Sequence, residues 1–167
     1  MTKINISFLL GLLLILTSFN SLNPSQYKLS TIVIDAGHGG KDPGARGKIS
    51  WEKDIALSIS LELGRILKEN IPALNIIYTR KEDKFLSLYR RSEIANKANA
   101  DLFISIHADS FSKSSVYGAT TYLMGLSKTS ANMNVAKREN SVIFLEENYE
   151  DIYKDFDPNS SESAMLL

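Results

Sequence analysis

The sequence predicts an α/β domain: an open, largely parallel sheet flanked by helices in three layers. Three observations carry this. Short apolar, β-branched runs recur at 31–34, 74–79 and 102–106. Between them lie two longer segments whose apolar residues repeat at helical spacing. Strand, helix, strand, helix, strand is the rhythm that builds a parallel sheet with helices on its faces.

The first strand, Thr31-Ile-Val-Ile34, leads into Asp35-Ala-Gly-His-Gly-Gly40, an apolar run that stops at a tight turn. Residues 39–47 hold four glycines and a proline, a turn-rich loop and not core. Ser50 is a plausible N-cap for a helix over 51–69, with Ile55, Ile59, Leu63, Ile66 and Leu67 as its apolar face; Asn70-Ile-Pro72 ends it. The second strand is expected over 74–79, followed by a charged loop at 80–84. Ser87 opens a second helix through about 99, packed through Leu88, Ile94, Ala95 and Ala98. Asp101 introduces the third strand, which ends at Ile106. Residues 116–123 are β-rich and predict a further strand. Residues 130–153 read as one helix, with Val142, Leu145, Tyr149, Ile152 and Phe156 near one face, stopped by Asp157-Pro158.

The chain has 167 residues with 19 basic and 19 acidic side chains, enough for one domain with a real core and without the basic stripe of a nucleic-acid binder. It contains no cysteine, which excludes disulfides, thiolate ligands, a cysteine nucleophile and a lipid-modified N-terminal cysteine. At the N-terminus Lys3, an apolar run over 6–16 and small polar residues at 17–21 describe a secretory signal peptide. The run is short for a membrane span of roughly 20 residues. Residues 1–25 are therefore taken as leader and linker, residues 26–167 as the domain. The product is expected to be exported, periplasmic or associated with the cell wall, with no stable membrane span after cleavage. At the other end Ser160-Ser-Glu-Ser163 looks like a helix start and 164–167 like its first turn, so the domain is expected to stop short, lacking a C-terminal strand and helix.

Both histidines of the chain, His38 and His107, stand just beyond a strand. Sites in open α/β sheets form beyond the carboxyl ends of the strands, so the pair could hold a metal. A catalytic zinc takes three protein ligands and leaves a fourth position open. Without cysteine the third ligand must be a carboxylate, and Glu52 is the best candidate, although a carboxylate in a first helical turn is also favoured by the helix dipole. Asp35 and Asp109 flank the histidines; they either orient the imidazoles or serve as turn residues. Arg91 either meets a substrate carboxylate or belongs to a solvated helix face.

Residues 34–44 (Ile-Asp-Ala-Gly-His-Gly-Gly-Lys-Asp-Pro-Gly) and then Glu52-Lys-Asp-Ile-Ala-Leu57 resemble the zinc-dependent N-acetylmuramoyl-L-alanine amidases of the AmiA/AmiB/AmiC type. So do Tyr78-Thr-Arg80, Leu88 to Arg91 with Ile94-Ala-Asn96, residues 100–108 (Ala-Asp-Leu-Phe-Ile-Ser-Ile-His-Ala), and Gly118 with Thr121-Tyr122. The matches run in the family's order from 31 to about 125. The resemblance implies that His38, Glu52 and His107 bind Zn2+, with Glu52 counted among the catalytic residues. The implied reaction is hydrolysis of the amide between N-acetylmuramic acid and L-alanine in peptidoglycan, in cell-wall remodelling and daughter-cell separation. A second catalytic glutamate of the family, near its C-terminus, has no counterpart here, which implies weak hydrolysis by this chain. Some relatives cover the site with a helical insertion, here at about 130–156, released by an activator protein. Glu146 or Glu147 would then be an inhibitory ligand, or else part of a charged helix face. The competing functions are a non-catalytic peptidoglycan-binding remnant and a zinc hydrolase of another amide.

Overall fold

A computed structural model describes residues 28–109, 113, 115–123 and 130–154. The expected leader, Phe156 and the helix start at 160–163 lie outside them. Strand β1 (Thr31–Ala36) is followed by helix α1 (Glu52–Asn70), strand β2 (Asn75–Tyr78), helix α2 (Leu88–Lys97) and strand β3 (Leu102–Ile106). The three strands form a parallel sheet in the order β2-β1-β3. The register sets Ile34 beside Tyr78 on one side and Ile104 on the other.

β1 is central and covered on both faces, as a parallel strand must be: Ile32, Val33, Ile34, Asp35 and Ala36 are all buried. The first crossover runs from β1 to β2 and the second from β2 back past β1 to β3. Because they run in opposite directions along the sheet, right-handed connections put α1 and α2 on opposite faces. The contacts agree. Leu63 and Leu67 of α1 pack on Ile32 and Ile34, whereas Arg91 of α2 reaches Asp35 on the other face. The three-layer α/β expectation holds over these elements.

Four local expectations need correction. α1 does not turn Ile55, Ile59 and Ile66 inward; these are 37%, 47% and 43% exposed. Its buried stripe is Ala56, Ser60 and Gly64, small residues that let the helix lie close to the sheet. A Cβ on Gly64 would sit 1.7 Å from the Tyr78 hydroxyl. Ser50 is not the N-cap either: Trp51 takes that place without a side-chain bond, so Glu52 is the first helical residue. Ser87 does cap α2, accepting from the Arg90 amide at 3.2 Å.

The strand expected over 116–123 is absent. These residues are exposed and outside the sheet, and Tyr117 is 95% exposed. β-propensity reflects fit to a half-buried pleated surface, and no neighbouring strand supplies one here among the described residues. The single helix expected over 130–153 is broken into α3 (Ser130–Asn140), a 3-10 turn (Ser141–Leu145) and α4 (Tyr149–Ile152). Asn148 interrupts it with φ of 60°, a left-handed conformation that Asn tolerates better than most residues. The apolar residues therefore do not share one face: Ile143 is fully buried, while Leu145 and Ile152 are about half exposed. No helix among the described residues is long and apolar enough to cross a membrane.

Candidate metal centre

β1 and β3 deliver the histidines. Beyond Ala36 the Gly37 amide donates to the Ile106 carbonyl at 3.0 Å, which ties the two strand ends together. Gly37 is needed for space: a Cβ there would lie 2.5 Å from the His107 ring. His38 has φ of 60°, a conformation that costs a non-glycine residue about 1–3 kcal/mol and clusters at functional sites. Reciprocal backbone bonds between Gly39 and Asp42, at 2.9 and 3.1 Å, fold the loop back so that Asp42 Oδ2 lies 2.8 Å from His38 Nδ1. That contact leaves Nε2 facing inward.

Glu52 is aimed by the backbone. The Ala45 amide donates to Oε2 and the Ala108 amide to Oε1, both at 2.8 Å. Gly44 lets the loop pass: a Cβ there would be 2.6 Å from the His38 ring. Glu52 Oε1 thus stands 3.2 Å from His38 Nε2 and 3.3 Å from His107 Nδ1. The imidazoles meet edge to face with centroids 4.9 Å apart. Three side chains from distant parts of the chain converge on one point.

A fourth joins them. Glu139 of α3 places Oε2 2.8 Å from His107 Nδ1 and 3.6 Å from His38 Nε2. His38, Glu52, His107 and Glu139 each offer one ligand atom, all within 4.8 Å of one another. Nothing in the letters around Glu139 separated it from the other charges of its helix. Glu146 and Glu147, the acidic residues singled out in the sequence, do not stand here. Glu146 is buried elsewhere, accepting from the Leu88 amide at 2.8 Å and the Tyr153 hydroxyl at 2.9 Å. It docks the segment onto the first turn of α2, where a carboxylate is favourable; Glu147 is exposed.

The other expected site residues are placed as follows. Asp35 touches neither imidazole; its carboxylate accepts from Thr79, Arg91 and Ser105 at 2.6–2.8 Å in the interior. Arg91 is 5% exposed, donating to Asp35 and to backbone carbonyls, so it is not available to a substrate carboxylate. Asp109 pairs with Arg138 at the rim. The residue that does orient an imidazole is Asp42, whose place in Lys41-Asp-Pro43 reads as an ordinary turn.

The metal-free cluster shares its protons strongly. Burial pulls the His38 imidazole down, but hydrogen bonds to Asp42 and Glu52 outweigh it and raise it to about 9. Burial likewise opposes His107, and Glu139 and Glu52 raise it to about 9. Burial pushes Glu52 up, and the two imidazoles with two backbone amides hold it well below the usual carboxylate range. Glu139 is also lowered, by His107 and Arg138 against its burial. Protonated imidazoles beside carboxylates are what a ligand set looks like before a cation displaces the protons. Two imidazole nitrogens and two carboxylate oxygens, one imidazole already oriented by a carboxylate, fit a divalent transition metal. The centre opens on a cleft of about 420 Å³ walled by Asp42, Asp109, Arg138 and Leu145.

The fold and this donor set define an α/β domain with a candidate metal centre at the carboxyl ends of its strands. The family model described as N-acetylmuramoyl-L-alanine amidase matches residues 32–155, and the chain belongs to that family. A putative N-acetylmuramoyl-L-alanine amidase of Buchnera aphidicola subsp. Acyrthosiphon pisum is 37% identical over 128 residues, covering 76% of this chain and 54% of that protein. AmiA of Escherichia coli K12 is 42% identical over 107 residues, 64% of this chain and 36% of AmiA. The CwlD amidase of Clostridioides difficile, solved in complex with the GerS lipoprotein, superposes with a TM-score of 0.54 at 33% identity, covering 71% of this chain and 69% of that one. The chain thus spans about half or less of the length of these curated relatives.

Proposed function

We propose that this chain is a zinc-dependent amidase domain that cleaves the bond between N-acetylmuramic acid and L-alanine in peptidoglycan, with His38, Glu52 and His107 as the zinc ligands. The observation that carries the reading is the convergence of these three side chains, from two strand ends and one helix start, with ligand atoms within 4.8 Å of one another. Family membership supplies the reaction. Export, expected from residues 1–25, belongs to the same reading, since the substrate lies outside the cytoplasm.

Bound zinc would act as a Lewis acid that activates water and polarises the scissile carbonyl. The chain's own residues do the rest. Asp42 keeps the His38 proton on Nδ1 and presents Nε2. The amides of Ala45 and Ala108 hold the Glu52 carboxylate in place. Glu139, which lines the cleft, would be the fourth donor to a bound ion and would compete with a substrate group for it. In this reading residues 130–154 form an inhibitory strap, and Glu139 takes the part expected of Glu146 or Glu147. An activator that draws α3 away would open the site; the CwlD relative was solved in complex with a lipoprotein, which supports a protein partner without identifying its role.

The test is digestion of purified sacculi by the zinc-loaded protein carrying Glu139→Ala. Release of stem peptides with a free L-alanine amino terminus, abolished by chelation, is expected. Release of sugar fragments alone, or peptide release that survives chelation, overturns the assignment.

A further inference from the structure

Two guanidinium groups lie under the loop that carries His38, both nearly inaccessible: Arg80 is 4% and Arg91 5% exposed. Neither reaches the cleft. Together they bind the carbonyls of three successive residues. Ala36 O accepts from Arg80 Nε at 2.9 Å and from an Arg91 Nη at 2.8 Å. Gly37 O accepts from Arg80 at 2.7 Å, and His38 O from Arg91 at 2.7 Å. The Arg80 nitrogen on Gly37 O also donates to Lys53 O at 2.8 Å. One atom therefore bridges the residue before His38 and the residue after Glu52. Arg91 is fixed in turn by Asp35 at 2.7 Å and by Leu86 O at 3.1 Å.

This is a costly way to satisfy three carbonyls. Two buried cations lie side by side, and Arg80 is lowered by burial and by the neighbouring Arg91 charge. Interior stability alone does not ask for it, because buried charges are often replaceable by apolar residues without loss. The planar fork of arginine is suited to fixing several acceptors at set angles, which a lysine ammonium is not. The held backbone is also the part of the site in an unfavourable conformation, His38 at φ of 60°.

We infer that Arg80 and Arg91 are positioning residues: a buried carbonyl clamp that sets His38 and Glu52 at ligating distance before any metal arrives. The inference rests on the metal reading given above. It assigns the two arginines no contact with substrate. Their effect is on metal affinity, exerted through the backbone of residues 36–38 and 53.

The experiment is zinc titration of the metal-free protein against a chromophoric chelator, for the wild type, Arg80→Lys and Arg91→Lys, with thermal melts of each metal-free form. Loss of partners that orient ligands typically weakens metal binding roughly 10–100-fold. Each lysine variant, measured well below its melting temperature, is expected to lose affinity in that range, and its cobalt-substituted form to show shifted visible bands. A purely structural role would lower the melting temperature and leave affinity and spectrum at wild-type values; that result overturns the clamp. Wild-type protein without stoichiometric zinc overturns the metal reading, and the clamp with it. Should a lysine variant not fold, the wild type decides. In the metal-free protein the guanidinium protons of both arginines should give separate, slowly exchanging NMR signals. Signals that sharpen only when zinc is added would contradict preorganisation.

Discussion

Glu139 Oε2 lies 2.8 Å from His107 Nδ1, so α3 inserts a carboxylate into a cluster otherwise built by β1, α1 and β3. Its neighbour Arg138 reaches across to Asp109 and also bonds Glu139 itself at 3.0 Å. The residue that completes the donor set thus belongs to the segment that covers it.

Replacing Glu139 by alanine should separate binding from access. Three ligands remain, so zinc should still be retained near one per chain. Peptide release from sacculi should rise about ten-fold or more, which corresponds to about 1.4 kcal/mol of preference for the closed arrangement. Zinc analysis and the sacculus assay check this. Loss of zinc from Glu139→Ala would show Glu139 to be an essential ligand instead of a removable plug.

Acidity should act in opposite senses on the free and the metal-bound protein. His38 and His107 are raised from 6.5 to about 9. Their stabilisation of the metal-free fold is fully present below about pH 6.5 and is lost as pH rises through 9. Glu52 is lowered from 4.5, so its contribution is present above that value and is lost as pH falls below it. The metal-free protein should therefore melt highest between about pH 5 and 7 and soften toward pH 9. Zinc affinity should climb from pH 7 toward 9, with protons released on binding at pH 7. Calorimetry in buffers of differing ionisation enthalpy counts them; zinc affinity flat from pH 6 to 9 contradicts the assignment.

Asp42→Asn should weaken zinc binding roughly 10–100-fold, because an amide can no longer take the His38 Nδ1 proton as a carboxylate does. The fold should stay intact, since Asp42 packs against the loop and not the sheet. Competition titration reads the affinity; a wild-type value would show that the contact is incidental.

Gly37→Ala should damage both fold and site. The new methyl would lie 2.5–2.8 Å from three atoms of the His107 ring, and overpacking of this kind costs roughly 1–3 kcal/mol. A lowered melting temperature with weaker zinc binding is expected. Unchanged zinc affinity would mean that the ring can move without loss of ligation.

Much of this was legible in the chain. Two apolar runs ending at histidines place both imidazoles, because strand ends in a parallel sheet are where side chains meet. Glu52 could be read from its position after a glycine-rich loop. What could not be read depends on tertiary neighbours. Asp42 looks like any turn aspartate until the Gly39 bonds fold it onto His38. Glu139 is one charge in a charged helix, and its place at the cleft depends on tertiary contacts, the Arg138 pair with Asp109 and the following segment held on α2 by Glu146 and Tyr153. Arg80 and Arg91 resemble surface charges in pattern, yet they are interior, because three carbonyls at a strand end need donors that no strand provides. The β-rich stretch at 116–123 shows the reverse: favourable letters without a sheet neighbour do not make a strand. In α1 the small residues Ala56, Ser60 and Gly64 are the ones fully buried, with Leu63 and Leu67 packed beside them, since close approach to the sheet leaves little room for bulk along that stripe.

The most direct test is metal stoichiometry. Zinc should be titrated into the metal-free wild type and into His38→Ala, Glu52→Ala and His107→Ala, with circular dichroism to confirm that each is folded. One tightly held zinc per chain is expected in the wild type, and loss of it in each variant. Folded variants that still hold about one zinc each would contradict the ligand assignment.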